Sequence, residues 1–181
     1  MAADTKIEWA THTFNPWRGC AHAPLSDGSE HPGCAHCYAE TMSRRNPAVL
    51  GEWGPGGTRI VAAEGQWRAV VEKWTRAAPT VGLMDRVFCA SLADVFEDFY
   101  GHVLDHNGQV IADCRNCRYS GLIGGGYNGS GHCCAKCGSG AINVGSLAGT
   151  RQRLFGLIDR TPNLMWVLLT KRPGNVWRMW E

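Results

Sequence analysis

Two sets of cysteines carry the chemistry that this 181-residue chain is equipped for. Cys114 and Cys117 form one C-x2-C knuckle, Cys134 and Cys137 form another, and residues 118–133 lie between them. Zinc(II) takes four tetrahedral ligands, and a tight knuckle presents two thiolates at once, so the pattern reads as a four-cysteine zinc ribbon. The register has one ambiguity, because Cys133 or His132 could stand in for Cys134. So small a lobe has little apolar mass, and bound metal would supply its folding energy. Free thiols in a loop, or an iron–sulfur cluster, are the rival readings. Gly124, Gly126 and Gly129 fit G-x-G-x-x-G. With no strand expected before them and no helix after, they read as a hairpin tip between the knuckles and not as a dinucleotide site.

Cys20, Cys34 and Cys37 form the other set, with thirteen residues between the first two and two between the last pair. Three thiolates are one short of a closed zinc site and suit a four-iron cluster that keeps one iron open to a small ligand. Cys37 lies just before an expected helix N-terminus, where the helix dipole favours thiolate. His22, His31 and His36 are near enough in sequence that any one could complete a Cys3His zinc site. Spacing alone therefore leaves zinc, iron–sulfur and unliganded thiols all open.

Nine cysteines is an odd number, and Met1 to Trp9 is polar with no signal-peptide core, so a secreted disulfide framework does not fit. In a reducing cytoplasm, where the chain is expected to reside, paired cysteines more often bind metal. No apolar run approaches the roughly 18 residues needed to cross a bilayer, so no membrane association is expected. The net charge of +2 is too small to imply nucleic acid by itself.

These ligands need elements to hold them. Thr5 to Asn15 reads as a strand-like lead-in broken by Asn15-Pro16, and Tyr38 to Arg45 as a short helix stopped by Asn46-Pro47. Gln66 to Ala77 reads as a helix with Trp67, Val70, Val71 and Trp74 on one face. Arg86 to Ser91 reads as a buried strand enclosing Cys89 as a core thiol, and Asp94 to Val103 as a helical turn or two. After the cysteine-rich stretch, an amphipathic helix carrying Leu147, Leu154, Phe155 and Ile158 is expected to about Arg160. A second buried strand follows at Leu164 to Leu169, and a helix opens at Pro173. Short, continuously apolar strands alternating with helices point to a parallel α/β sheet.

Several of these segments together resemble a known family. They are Lys6-Ile-Glu-Trp9, Asn15-Pro16, Gly19-Cys20 and Pro32-Gly-Cys34-Ala-His-Cys37-Tyr-Ala-Glu40, then Arg86-Val-Phe-Cys-Ala-Ser-Leu-Ala-Asp94-Val-Phe and Leu168-Leu-Thr-Lys171-Arg-Pro173. In this order they resemble a phage and prophage family of unknown function, the three-Cys-motif family (Gp-thirty-seven/Gp-sixty-eight). That family is in turn similar to radical S-adenosylmethionine (SAM) enzymes of the spore photoproduct lyase type.

The resemblance implies a [4Fe-4S] cluster on Cys20, Cys34 and Cys37 with SAM on the open iron. Reductive cleavage of SAM would give a 5′-deoxyadenosyl radical, for which nucleic acid is a candidate substrate. It also implies an α/β fold, an incomplete radical-SAM-like (β/α) barrel. Residues 1–104 and 142–181 would form its parts, with the zinc ribbon inserted at 105–141. An unfinished barrel implies a fragment, or a partner chain that completes the sheet. Ligands gather at the C-terminal ends of parallel strands, which makes Ser91, Asp94, Thr170 and Lys171 candidate contacts for SAM or substrate. Helix capping by Asp94 and a solvated Lys171-Arg172 pair are the plainer alternatives. The rival function is a non-catalytic zinc protein that binds nucleic acid or a protein partner, and a phage-encoded chain would work in the cytoplasm of its bacterial host.

Overall fold

The computed structural model describes residues 3–78, 82–114, 116, 120–125, 132–134, 136–140 and 142–180, with backbone alone at 120, 122–125 and 132–134. The first half of the chain contains β1 (His12–Phe14), β2 (Trp17–Arg18), α1 (Tyr38–Arg45), α2 (Pro47–Leu50) and β3 (Thr58–Val61). Next comes α3 (Glu64–Ala69), which passes through a π-helical turn at Val70–Trp74 into α4 (Thr75–Ala77). The remainder is β4 (Asp85–Cys89), β5 (His102–Leu104), β6 (Ile111–Cys114), β7 (Ser120–Gly125), β8 (His132–Cys134), β9 (Ile142–Val144), α5 (Ala148–Asp159), β10 (Leu164–Leu168) and α6 (Pro173–Trp180). Among the described residues no helix is long and apolar enough to cross a membrane.

The described strands divide among three small sheets, ordered β1-β4-β10, β2-β3-β5 and β8-β7-β6-β9, and none of them closes. The expected incomplete (β/α) barrel is therefore not what the chain forms. Parallel strands are added to one sheet through crossovers of about a dozen residues or more. β1, β4 and β10 are joined in that way and pair in parallel throughout, as do β3 and β5 in the second sheet. Asn15-Pro16 is far too short a link for a crossover, so β2 leaves the sheet and pairs antiparallel with β3. The strands from β6 to β9 turn back on one another in an antiparallel sheet of their own.

One core serves the parallel sheet and its helices. Phe14, Val87 and Cys89 are fully buried against Trp67, Val70, Trp74, Leu154 and Leu157. The imidazole of His12 stacks on the Trp74 indole at 4.4 Å. The π-helical turn explains why Val71 is 40% exposed although helical spacing puts it beside Val70 and Trp74. A wide turn swings its flanking positions around the axis, so Val70 and Trp74 share the buried face and Val71 leaves it.

Residues 94–101 form turns where a helix was expected. The carbonyls that a helix would need are taken from outside: Arg151 donates to Val95 O at 2.7 Å and to Glu97 O at 2.6 Å, and Asn175 donates to Phe96 O at 2.9 Å. At the centre of this region the buried Arg59 and Glu97 meet fork to fork, Nε to Oε2 and Nη2 to Oε1, both at 2.7 Å. The guanidinium also lies 3.9 Å from the Phe99 ring centre. Removing one member of a buried ion pair strands the other in a medium that solvates it poorly. Arg59→Ala should therefore lower the free energy of unfolding by about 3–5 kcal/mol, measured by denaturant titration. A loss near zero would mean that Arg172, 3.7 Å from Glu97 Oε1, takes over the charge.

Candidate metal centre

The C-terminal ends of β1, β4 and β10 are drawn together by side chains that follow each strand. After β1, Asn15 accepts the Leu92 N–H at 2.8 Å and its amide donates to Ser91 Oγ at 3.1 Å. After β4, Ala90 takes a left-handed φ of 60°, strained for a residue with a Cβ, and this turns Ser91 and Asp94 back over the sheet. Gly19, at φ 103°, lets the next residue, Cys20, sit against β3: a Cβ at position 19 would come 2.3 Å from Thr58 O.

Cys20, Cys34 and Cys37 all line one pocket at this end of the sheet, together with Ser91, Asp94 and Lys171. The sequence spreads these six residues over 150 positions, and the fold brings them to a single cavity. Cys20 and Cys34 are buried and Cys37 is half-buried. Cys37 stands just before α1, as its sequence context implied, and its carbonyl accepts the Thr41 N–H at 3.2 Å. Burial pushes the Cys20 thiol up to about 12; the Glu97 carboxylate adds to this, and the Arg172 guanidinium opposes it. Unmetallated Cys20 is thus a neutral thiol, and it donates to Ala21 O at 3.1 Å.

Asp94 and Thr170 are occupied by the protein itself. Asp94 Oδ1 accepts from Phe96 N at 3.0 Å and Thr170 Oγ1 at 2.8 Å. Its Oδ2 accepts from Lys171 N and Arg172 Nη1, both at 3.0 Å. Four acceptor positions are filled, so this carboxylate ties β10 to the loop after β4 and has none left for a ligand. Ser91 Oγ faces the pocket while bonded to Asn15. The Lys171 ammonium has no polar partner among the described residues and is the unpaired charge on the pocket wall.

The sequence reads Arg172 as the solvated neighbour of Lys171, yet its side chain is mostly buried. Its Nη1 lies 3.6 Å from Cys20 Sγ and its Nη2 donates to Ala21 O at 2.7 Å. Its signal in the sequence is faint: an arginine three residues past the apolar run that ends at Leu169, followed by Pro173.

Of the three histidines near these cysteines, only His22 lines the pocket. Both its ring nitrogens are committed, Nδ1 to Glu30 at 3.1 Å and Nε2 to Glu40 at 2.7 Å. Partial burial opposes its charge, but these two carboxylates outweigh it and raise the imidazole above its ordinary value. With a carboxylate oxygen at each ring nitrogen, neither nitrogen is turned to a metal. Among the described residues no three Cys, His, Asp or Glu side chains are gathered tightly enough to hold a single metal ion.

In the second set, Cys114 on β6 and Cys137 bring their sulfurs to 3.6 Å. Cys117, together with Gly126 and Gly129 of the expected hairpin tip, lies outside the described residues, as do the side chains of His132, Cys133 and Cys134. A strand, β7, does precede the glycine run, and it leads to the antiparallel partner β8.

Residues 4–123 match the model of a family described as "Protein of unknown function (DUF5131)". No curated protein and no solved structure matches the chain.

The burial of Cys20 has a direct readout. Because Cys20 is buried and Cys37 half-buried, iodoacetamide should modify Cys37 before Cys20 in metal-free protein, as followed by peptide mass mapping. Equal rates at the two sites would show that Cys20 is open to solvent.

Proposed function

The chain belongs to this family of unknown function, and from the geometry of its thiol pocket we propose that it is a radical-SAM-like iron–sulfur protein. The thiolates of Cys20, Cys34 and Cys37 hold a [4Fe-4S] cluster whose fourth iron stays open to SAM. One observation carries the reading: the three thiols line a single pocket where the only histidine among the described residues is locked between two carboxylates. A closed Cys3His zinc site needs an imidazole with a free lone pair, and His22 has none to give.

Each side chain of the pocket then has a task. Arg172 sets a fixed positive charge beside Cys20 and favours the thiolate that ligation requires. Asp94 fixes Arg172 and the backbone of Lys171. Lys171, unpaired, is placed to receive the carboxylate of SAM, and Ser91 Oγ offers a second polar contact. When bound and reduced by an external one-electron donor, the cluster would supply the electron for reductive cleavage of SAM, with methionine as the leaving group and hydrogen abstraction from the substrate as the outcome. The resemblance to the three-Cys-motif phage family supports SAM as the ligand and nucleic acid as the first substrate class to try. An oxygen-sensitive cluster also calls for a reducing cytoplasm, that of a bacterial host if the chain is phage-encoded.

Protein purified without oxygen should be brown, with broad visible absorption bleached by dithionite and about four iron and four sulfide per chain. Cys20→Ala, Cys34→Ala and Cys37→Ala should each remove most of the iron. Lys171→Ala should keep the colour and weaken SAM binding about tenfold or more, the loss of one charge-assisted contact. Colourless protein that carries zinc at this site, or iron retained in all three cysteine variants, would refute the proposal.

A further inference from the structure

Cys114 and Cys137 stand 23 positions apart in the chain and belong to different knuckles, yet their sulfurs approach to 3.6 Å without forming a disulfide. Two thiolates on one tetrahedral zinc, each bond about 2.3 Å long, sit roughly 3.8 Å apart, which is the separation seen here within the tolerance of such sites. A thiol–thiol hydrogen bond spans a similar distance, but the pairing of one cysteine from each C-x2-C knuckle is what a shared zinc requires. Asn116 Nδ2 lies 3.8 Å from Cys137 Sγ, a donor placed to support a sulfur that carries negative charge.

The backbone around Cys114 joins this lobe to the rest of the molecule. Ile111, at the start of β6, belongs to the main hydrophobic core, and β9 pairs along β6 up to Val144, beyond the limit expected of an inserted ribbon. Asp113, the residue before Cys114, accepts the N–H of Gly149 through Oδ2 at 2.8 Å in the first turn of α5. A carboxylate there is stabilised by the helix dipole and the free N–H groups of that turn. Only glycine permits so close an approach, since a Cβ at position 149 would come 2.3 Å from Asp113 Oδ1. Helix α5 in turn carries Arg151, whose guanidinium holds the carbonyls of Val95 and Glu97 beside the thiol pocket.

We infer that Cys114 and Cys137 are ligands of a structural zinc ion, and that this ion fixes α5 through Asp113. The sequence supplies further thiolates from the same two knuckles. The ion is a clamp on the main fold and not the mark of a separate domain. The inference is independent of the cluster proposed above, because iron and zinc are counted separately.

Full-length protein purified under reducing conditions should hold one zinc per chain by elemental analysis, and Cys114→Ser and Cys137→Ser should each lose it while their iron content stays unchanged. If either variant fails to fold, cobalt(II) added to chelator-stripped wild type should give the intense thiolate-to-metal bands of a tetrahedral sulfur site. Stripping zinc should lower Tm by several degrees in wild type and by markedly less in Asp113→Ala, which itself retains zinc. Wild type without zinc, zinc retained in both serine variants, or a Cys114–Cys137 disulfide under reducing conditions would overturn the site. An equal drop in Tm for wild type and Asp113→Ala would overturn the clamp.

Discussion

The carboxylate of Asp94 is the joint on which the pocket end of the sheet depends. An isolated charge in a protein interior is costly, and the cost is recovered only when every lone pair finds a donor. Asp94 meets that condition with donors from three places: its own loop, the hydroxyl of Thr170, and the backbone and side chain that follow β10. The geometry of those donors fixes how the ends of β4 and β10 face each other. Arg172 is held by the same atoms, so the charge beside Cys20 is set by the sheet and not by the mobile tip of a long side chain.

A second layer of buried charge lies behind the first. Glu97 takes Arg59 as its main partner, accepts the Ala21 N–H at 2.8 Å, and lies near Arg172. Cys20 precedes Ala21, which gives that thiol a fixed backbone on both sides: Gly19 bonds to Leu92 O at 3.0 Å and Ala21 bonds to Glu97. Cys34 and Cys37 are held differently, by a run of tight turns from His31 that ends at α1. The pocket thus joins one rigidly framed thiol to two on a local turn.

Local signals were legible in the sequence and pairings were not. Tyr38–Arg45 is the helix expected, because Asn46-Pro47 stops it whatever surrounds it. The apolar run after Pro162 gives the strand expected, although only its Leu164 is buried, because β10 lies at the edge of its sheet. The barrel failed because periodicity tells how a segment folds and not which neighbour it joins. Residues 94–101 failed for a related reason: Asp94-Val-Phe reads as a helix start, and nothing nearby reveals that Arg151 and Asn175 will take the carbonyls. Of the four residues expected at the strand ends, Ser91, Asp94 and Lys171 line the thiol pocket and Thr170 does not. The division of labour between Asp94 and Lys171 could not be read beforehand, since it depends on which of them Arg172 and Thr170 reach.

The π-helical turn at Val70–Trp74 has a consequence for how this chain tolerates change in length. Such a turn is equivalent to one extra residue threaded into an ordinary helix. Deleting any one residue there would regularise the hydrogen bonding, a local gain that conservative reasoning would welcome. It would also rotate everything downstream by about a quarter turn, pulling Trp74 off the His12 ring and Asn163 away from its bond to Thr75 O. The helix is irregular because its two ends answer to different partners.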